Sequence, residues 1–185
     1  MADEMIDVVD ENNQPTGKVI SKREAHENGA WHRNVHIWIY NPKGEVLIQK
    51  RSEKKSTYPG LWDISSAGHV SAGQGFDQAA VREVFEELGL KIRFSQLKKI
   101  EIRKIKQDEP AIGYHNHEIV QICLLKLDKD VKGFKLQEEE VESTKFIPLA
   151  VFEAEIKDSE KIKKYTPMHD YFIDVIKHIR REMEK

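Results

Sequence analysis

The chain carries one cysteine in 185 residues, so no internal disulfide can staple it and a packed core has to hold it together. Long apolar runs are missing too: none approaches the roughly 18 to 20 residues that a membrane-spanning helix needs. A charge excess of one sign is also absent. Thirty Lys and Arg against 32 Asp and Glu leave a net charge of −2, with the basic residues scattered, which argues against a nucleic-acid or anionic-membrane surface. The opening MADEMIDVVDEN is acidic and lacks the basic-then-apolar profile of an export signal, so the expected location is cytoplasmic. Repeats, low-complexity tracts and linkers rich in Pro, Gly or Ser are lacking, and one domain over 1–185 is expected. Cys123 lies in IVQICLLKL, where a buried, unreactive thiol is the expected state.

What is present is a mixture of short strands and a few helices. MIDVVDENNQPTGKVI and HIWIYNPKGEVLIQKR each place alternating apolar residues on both sides of a turn rich in Asn, Pro and Gly, the pattern of two hairpins. LWDIS reads as a short strand and residues 67–75 as a loop. A helix follows from about Asp77 to Leu88, ended by Gly89 where a left-handed cap is favoured. Strand-like runs at 98–106, 118–127 and 144–147 precede a short helix near 149–155. The spacing of Tyr171, Phe172, Val175, Ile176 and Ile179 predicts a core-covering helix over about 168–183. Strands and helices without regular alternation give an α+β class.

The stretch GHVSAGQGFDQAAVREVFEELGL, from Gly68 to Leu90, gathers Glu83, Glu86 and Glu87. At about 100° per residue, with Glu83 at zero, Glu87 falls near about 40° and Glu86 near about 300°, while Val81, Val84, Phe85 and Leu88 occupy roughly 100° to 200°. The apolar side is expected to anchor the helix and the other side to present three carboxylates together. Like charges three and four residues apart cost roughly 0.2 to 0.5 kcal/mol per pair. A divalent cation reverses that sign, because clustered hard oxygens are what Mg²⁺ or Mn²⁺ requires. The alternative is a solvated face balanced by Arg82 and nearby lysines.

The spacing of the whole stretch resembles the Nudix hydrolase box, G-x5-E-x7-R-E-U-x-E-E-x-G-U, in Gly68, Arg82, Glu83, Val84, Glu86, Glu87, Gly89 and Leu90. One position departs, since Gln74 stands where the first Glu belongs. The resemblance implies a Nudix-like α/β/α sandwich with a mixed sheet and a carboxylate-bearing helix. It implies Glu83 and Glu87 as ligands of Mg²⁺ or Mn²⁺, Glu86 as a ligand or an orienter of bound water, the Gly68 carbonyl as a metal contact, and Arg82 as a brace.

Further segments are similar to the isopentenyl diphosphate isomerase branch of the superfamily: VDENNQPTG, REAH, WHRNVHIWIYN, LIQKRSEKKSTYPGLWDIS and GHV, together spanning roughly residues 5 to 127. That branch holds a metal with three histidines and two glutamates, and the matching positions here are His26, His32, His69, Asn116 and Glu118. Each of these histidines could instead be a hydrogen-bonded structural residue. The isomerase needs a cysteine just before its GH pair, and this chain has Ala67 there. With the carboxylate box kept and the cysteine absent, hydrolysis of a small-molecule diphosphate is expected, the alternatives being isomerase-like activity or, with Gln74 as its support, a non-catalytic ligand-binding or sensor domain. The base is expected to be Glu87 or a glutamate from LQEEEVEST, Glu139 or Glu140. Lys50 and Arg51 end a predicted strand and are candidates to meet phosphates, with solvent-facing charge as the alternative. Oligomeric state is left open, a homodimer being the commonest case among oligomers.

Overall fold

The computed structural model describes residues 3–127 and 133–185. Strands β1 (Met5–Val9) and β2 (Pro15–Ser21) form the first expected hairpin, paired from Met5↔Ser21 to Val9↔Pro15. β3 (His32–Tyr40) and β4 (Glu45–Arg51) flank the second turn, but their only paired position is Tyr40↔Val46. Beyond that point the two strands part. β3 takes β6 (Ser66–His69) antiparallel along its N-terminal half, from Asn34↔His69 to Ile37↔Ser66. β4 instead takes β5 (Trp62–Asp63) and β9 (Val141–Pro148). The other edge of β3 is occupied by β8 (Tyr114–Lys126), parallel over nine positions from His32↔Glu118 to Tyr40↔Lys126, and β8 pairs with β7 (Leu97–Glu109). The gap opened between β3 and β4 is where a cleft can form.

Strand alternation decides which side chains meet which helix. On β3, Val35, Ile37 and Ile39 point to one face, where they pack with Ala79, Ala80, Val84 and Leu88 of helix α2 (Phe76–Leu88). Trp38 and Tyr40 point to the other face and pack with Phe172, Val175, Ile176 and Ile179 of α4 (His169–Met183) and Phe152 and Ile156 of α3 (Leu149–Lys157). Two apolar layers thus sandwich one mixed sheet, the α/β/α arrangement in an α+β chain. Burying each large side chain such as Trp38 or Phe172, both 0% exposed, stabilises by about 1.5–3 kcal/mol. No helix among the described residues is long and apolar enough to cross a membrane.

Three local readings are corrected. Residues 67–69 of the expected loop are strand, part of β6, because β3 has a free edge that their backbone groups satisfy. Helix α1 (Lys22–Asn28) carries no long apolar stripe and was not expected. It is set by Ser21, whose side chain accepts the Glu24 N–H at 3.1 Å, and by Gly29 in the left-handed region at φ 63°. Phe85, placed on the anchoring side of α2 by periodicity, is 47% exposed, since the core contact runs through Ala80, Val84 and Leu88.

Gly89 ends α2 at φ 68°, its N–H donating to the Phe85 carbonyl at 2.9 Å. A Cβ there would stand 2.7 Å from the Cβ of Lys135, on the segment that closes over the helix end. Gly89→Ala is expected to lower stability by roughly 1–2 kcal/mol or more from the backbone conformation alone, read as a lower denaturation midpoint. An unchanged midpoint would remove this cap from the account.

Candidate active site

Helix α2 and strand β6 build the first half of the site. Gly68 lies on the face of β6 that meets α2, in register with Val35, and a Cβ on it would overlap the Glu83 carboxyl carbon at 2.0 Å. Bare backbone at this position is what allows that carboxylate to lie against the strand. One turn on, Glu87 accepts the Ala67 N–H at 3.1 Å. Both side chains are withdrawn from water, with Glu83 8% and Glu87 5% exposed. Glu86 stays exposed. The three expected carboxylates therefore separate into an inner pair and an outer one.

Arg82 ties them together. Its Nη1 stands 2.8 Å from Glu83 Oε1 and 2.8 Å from Glu86 Oε2, and its Nη2 donates to the His69 carbonyl at 2.7 Å. Gln74, the departure from the box, accepts from Arg82 Nε at 3.4 Å and lies outside the cleft lining. It sits among the supports of the arginine.

The second half is a buried cluster on the opposite face of the sheet. His32 and Glu118 are partners across β3 and β8, while Asn34 and His69 are partners across β3 and β6. α1 contributes His26, whose Nε2 is 3.2 Å from His69 Nε2. Ring nitrogens of His26, His32 and His69 all lie within 4.8 Å of one another. Glu118 Oε1 is 3.6 Å from His32 Nε2 and 3.5 Å from His69 Nε2. The Glu118 carboxylate accepts from Asn34 Nδ2 at 2.5 Å and from Asn116 Nδ2 at 2.9 Å. His32 Nδ1 donates to the Ala30 carbonyl at 2.8 Å, and its buried Nε2 has no hydrogen-bond partner. Burial pushes His26 down to about 4, and lowers His69 as well, so both rings are neutral at pH 7. Burial opposes charge on Glu118 too, but the hydrogen-bond donors around it outweigh burial and hold that carboxyl below its ordinary range.

Both halves open into one cleft of about 330 Å³. Three cations also line it: Lys22, Arg51 and Lys55. Arg51 is held by Asp63 Oδ2 at 3.0 Å and by the Thr57 carbonyl at 2.8 Å, and Lys55 is ion-paired with Glu140. Of the four outer candidates, Arg51 and Glu140 line the cleft; Lys50 and Glu139 do not. Successive strand residues point to opposite faces, so Lys50 turns away from Arg51 and pairs with Glu142 at 2.8 Å. Glu139 is exposed to solvent. Lys22, Lys55 and His36, which also lines the cleft, were not singled out by sequence; the two lysines lie beside or within the segments that resemble the isomerases.

A model of the NUDIX domain matches residues 30–168. The chain belongs to the Nudix family. It is 36% identical over 152 residues to Nudix hydrolase 3 of Arabidopsis thaliana, which covers 80% of this chain but a fifth (20%) of that longer protein. A Nudix relative of the other kind, the isopentenyl-diphosphate Delta-isomerase of Pectobacterium atrosepticum, is 42% identical over 84 residues, 45% of this chain and 46% of that one. The crystal structure of a Deinococcus radiodurans protein superposes with a TM-score of 0.66 at 21% identity, covering 96% of this chain and 98% of that one, which shows that the two share a fold.

The inner pair of carboxylates of this Nudix helix carries a measurable cost. Glu83 is pushed up to about 8, first by burial and then by Glu87, and Glu87 up to about 7 by burial, both from an unfolded value of 4.5. A raised folded-state value contributes stability that is complete below the unfolded value and is lost as pH rises through the folded one. Metal-free protein is therefore expected to melt at falling temperature from about pH 4.5 to about pH 8, with little further change above that, and Glu83→Gln to flatten that slope. A slope indifferent to this substitution would mean that the carboxyls are not strained by burial.

Proposed function

We propose that this Nudix protein is a metal-dependent hydrolase that cleaves the diphosphate linkage of a nucleoside diphosphate derivative or a related small molecule, by attack of water on phosphorus. The observation that carries this reading is the pair Glu83 and Glu87, buried side by side at the wall of a cleft whose other side offers Lys22, Arg51 and Lys55. Nudix enzymes generally use a divalent metal. The donor set suits one here: hard carboxylate oxygens at a backbone cradle that a Cβ would fill at 2.0 Å.

Glu83, Glu87 and the Gly68 carbonyl would hold Mg²⁺ or Mn²⁺, with Glu86 as a further ligand or an orienter of water. When bound, the ion supplies charge neutralisation for the diphosphate and makes coordinated water more acidic. Arg82 is a positioning residue that fixes Glu83 and Glu86. Glu87 or Glu140 takes the proton of the attacking water, which fits their positions on the cleft wall. Lys22, Arg51 and Lys55 meet phosphate oxygens, a task that is mainly charge stabilisation and positioning. His26, His32, His69 and Glu118 fit a second cation, since three imidazoles and a carboxylate suit Mn²⁺ or Zn²⁺ and His32 Nε2 is buried with no hydrogen-bond partner.

Isomerase chemistry is disfavoured by the position of the one thiol. Ala67 precedes Gly68 and His69, while Cys123 is 1% exposed on the α2 face of β8, its thiol pushed up to about 11 by burial. Chromatographic separation of phosphate and phosphomonoester products over a panel of nucleoside diphosphates, triphosphates, nucleotide sugars and isoprenoid diphosphates is expected to show turnover that requires Mg²⁺ or Mn²⁺. Glu87→Gln is expected to lower kcat at least about a hundredfold, roughly 2.7 kcal/mol of barrier, with cooperative unfolding retained. Isomerisation of isopentenyl diphosphate without phosphate release, or undiminished rates in Glu87→Gln, would contradict this function.

A further inference from the structure

Outside the cleft, at the tip of the β7–β8 hairpin, Asp108, His115 and His117 form a second cluster. The hairpin register places Asp108 directly opposite His115, with His117 two residues along β8, so that all three side chains leave the same face. His115 Nδ1 lies 2.7 Å and His117 Nε2 2.9 Å from the same oxygen, Asp108 Oδ1, and the donor atoms of the three residues lie within 4.8 Å of one another. Each residue is partly exposed, at 39%, 35% and 13% for Asp108, His115 and His117.

We propose that Asp108, His115 and His117 bind a transition-metal dication of the Zn²⁺ class, separate from the metals of the cleft. Two imidazoles and one carboxylate favour Zn²⁺, Ni²⁺ or Cu²⁺ over Mg²⁺. A tetrahedral ion with bonds near 2.1 Å wants its donors about 3.4 Å apart, so small rotations of the side chains suffice to admit it. Each imidazole can offer one ring nitrogen to the ion and keep its N–H on the other, while Asp108 is already a carboxylate, kept below its ordinary range by the hydrogen bonds of His115 and His117. Lys106, in register with His117 on the same face, is the one competing cation among the aligned hairpin positions, and its exposed, flexible stem lets it move aside.

The surroundings suggest what occupancy does. The His117 ring packs 5.3 Å from Trp31 and lies where a Cβ on Gly29 would meet it at 3.1 Å, so the cluster sits against the end of α1. The His115 carbonyl is 3.2 Å from His26 Nδ1, in the cleft cluster. An ion at the hairpin tip would fix the strand carbonyl that orients His26.

Site-resolved imidazole NMR during titration of the whole protein with Zn²⁺ tests this. The ring nitrogens of His115 and His117 are expected to shift together and saturably, and His117→Gln to abolish the His115 response while His69 still responds. Saturation by Zn²⁺ with His115 and His117 unmoved overturns the site, as does a His115 response unaltered in His117→Gln. The wild-type titration decides the question even should the variant fail to fold.

Discussion

Two carboxylates one helical turn apart, Glu83 and Glu87, are withheld from water against the backbone of β6, and much of the molecule exists to keep them there. Left to themselves they would protonate or turn outward. The helix cannot turn, because Ala79, Ala80, Val84 and Leu88 fix its opposite face in the core beside Val35, Ile37 and Ile39. The strand cannot retreat, because β6 fills the edge of β3 that β4 leaves open. Arg82 completes the constraint by reaching the inner Glu83, the outer Glu86 and the His69 carbonyl, so the helix and the strand are joined through one guanidinium.

The same split of the sheet explains why two unlike groups of ligands share one cleft. Gly68 faces α2 and its carboxylates, whereas His69, the next residue, faces the other way toward His32, Asn34 and Glu118. Period-two alternation over a four-residue strand thus places oxygen donors and imidazole donors on either side of a single chain segment. The oxygen side suits hard cations and the imidazole side suits softer ones, consistent with a cleft that handles a multiply charged phosphate substrate.

Sequence made the centre of this arrangement legible because glycines, glutamates and an arginine at the fixed spacing of the Nudix box mark the family. The wheel placed Glu83, Glu86 and Glu87 on one side, yet it could not tell that the first and last would be buried and the middle one exposed. That distinction comes from β6, whose strand character depends on the vacant edge of β3 and leaves no local signature in SAGH. Lys50 and Arg51 were indistinguishable as neighbours in a basic pair; alternation separates them, sending Arg51 to Asp63 and Lys50 to Glu142. Helix α1 escaped periodicity because seven residues with Ala25 and His26 buried carry too little pattern, and its capping residues Ser21 and Gly29 are the signals that could have revealed it. Cys123 behaved as its apolar neighbours foretold.

The central claim is that the crowded carboxyls at Glu83 and Glu87 are tolerated because dications bind between them and a diphosphate. Calorimetric titration of metal-free protein with Mn²⁺, repeated in buffers of different ionisation enthalpy near pH 7, measures uptake and the protons displaced by it. The account predicts saturable uptake accompanied by proton release, both diminished in Glu83→Gln. Absence of uptake, or uptake with no protons released and no sensitivity to Glu83, would contradict it.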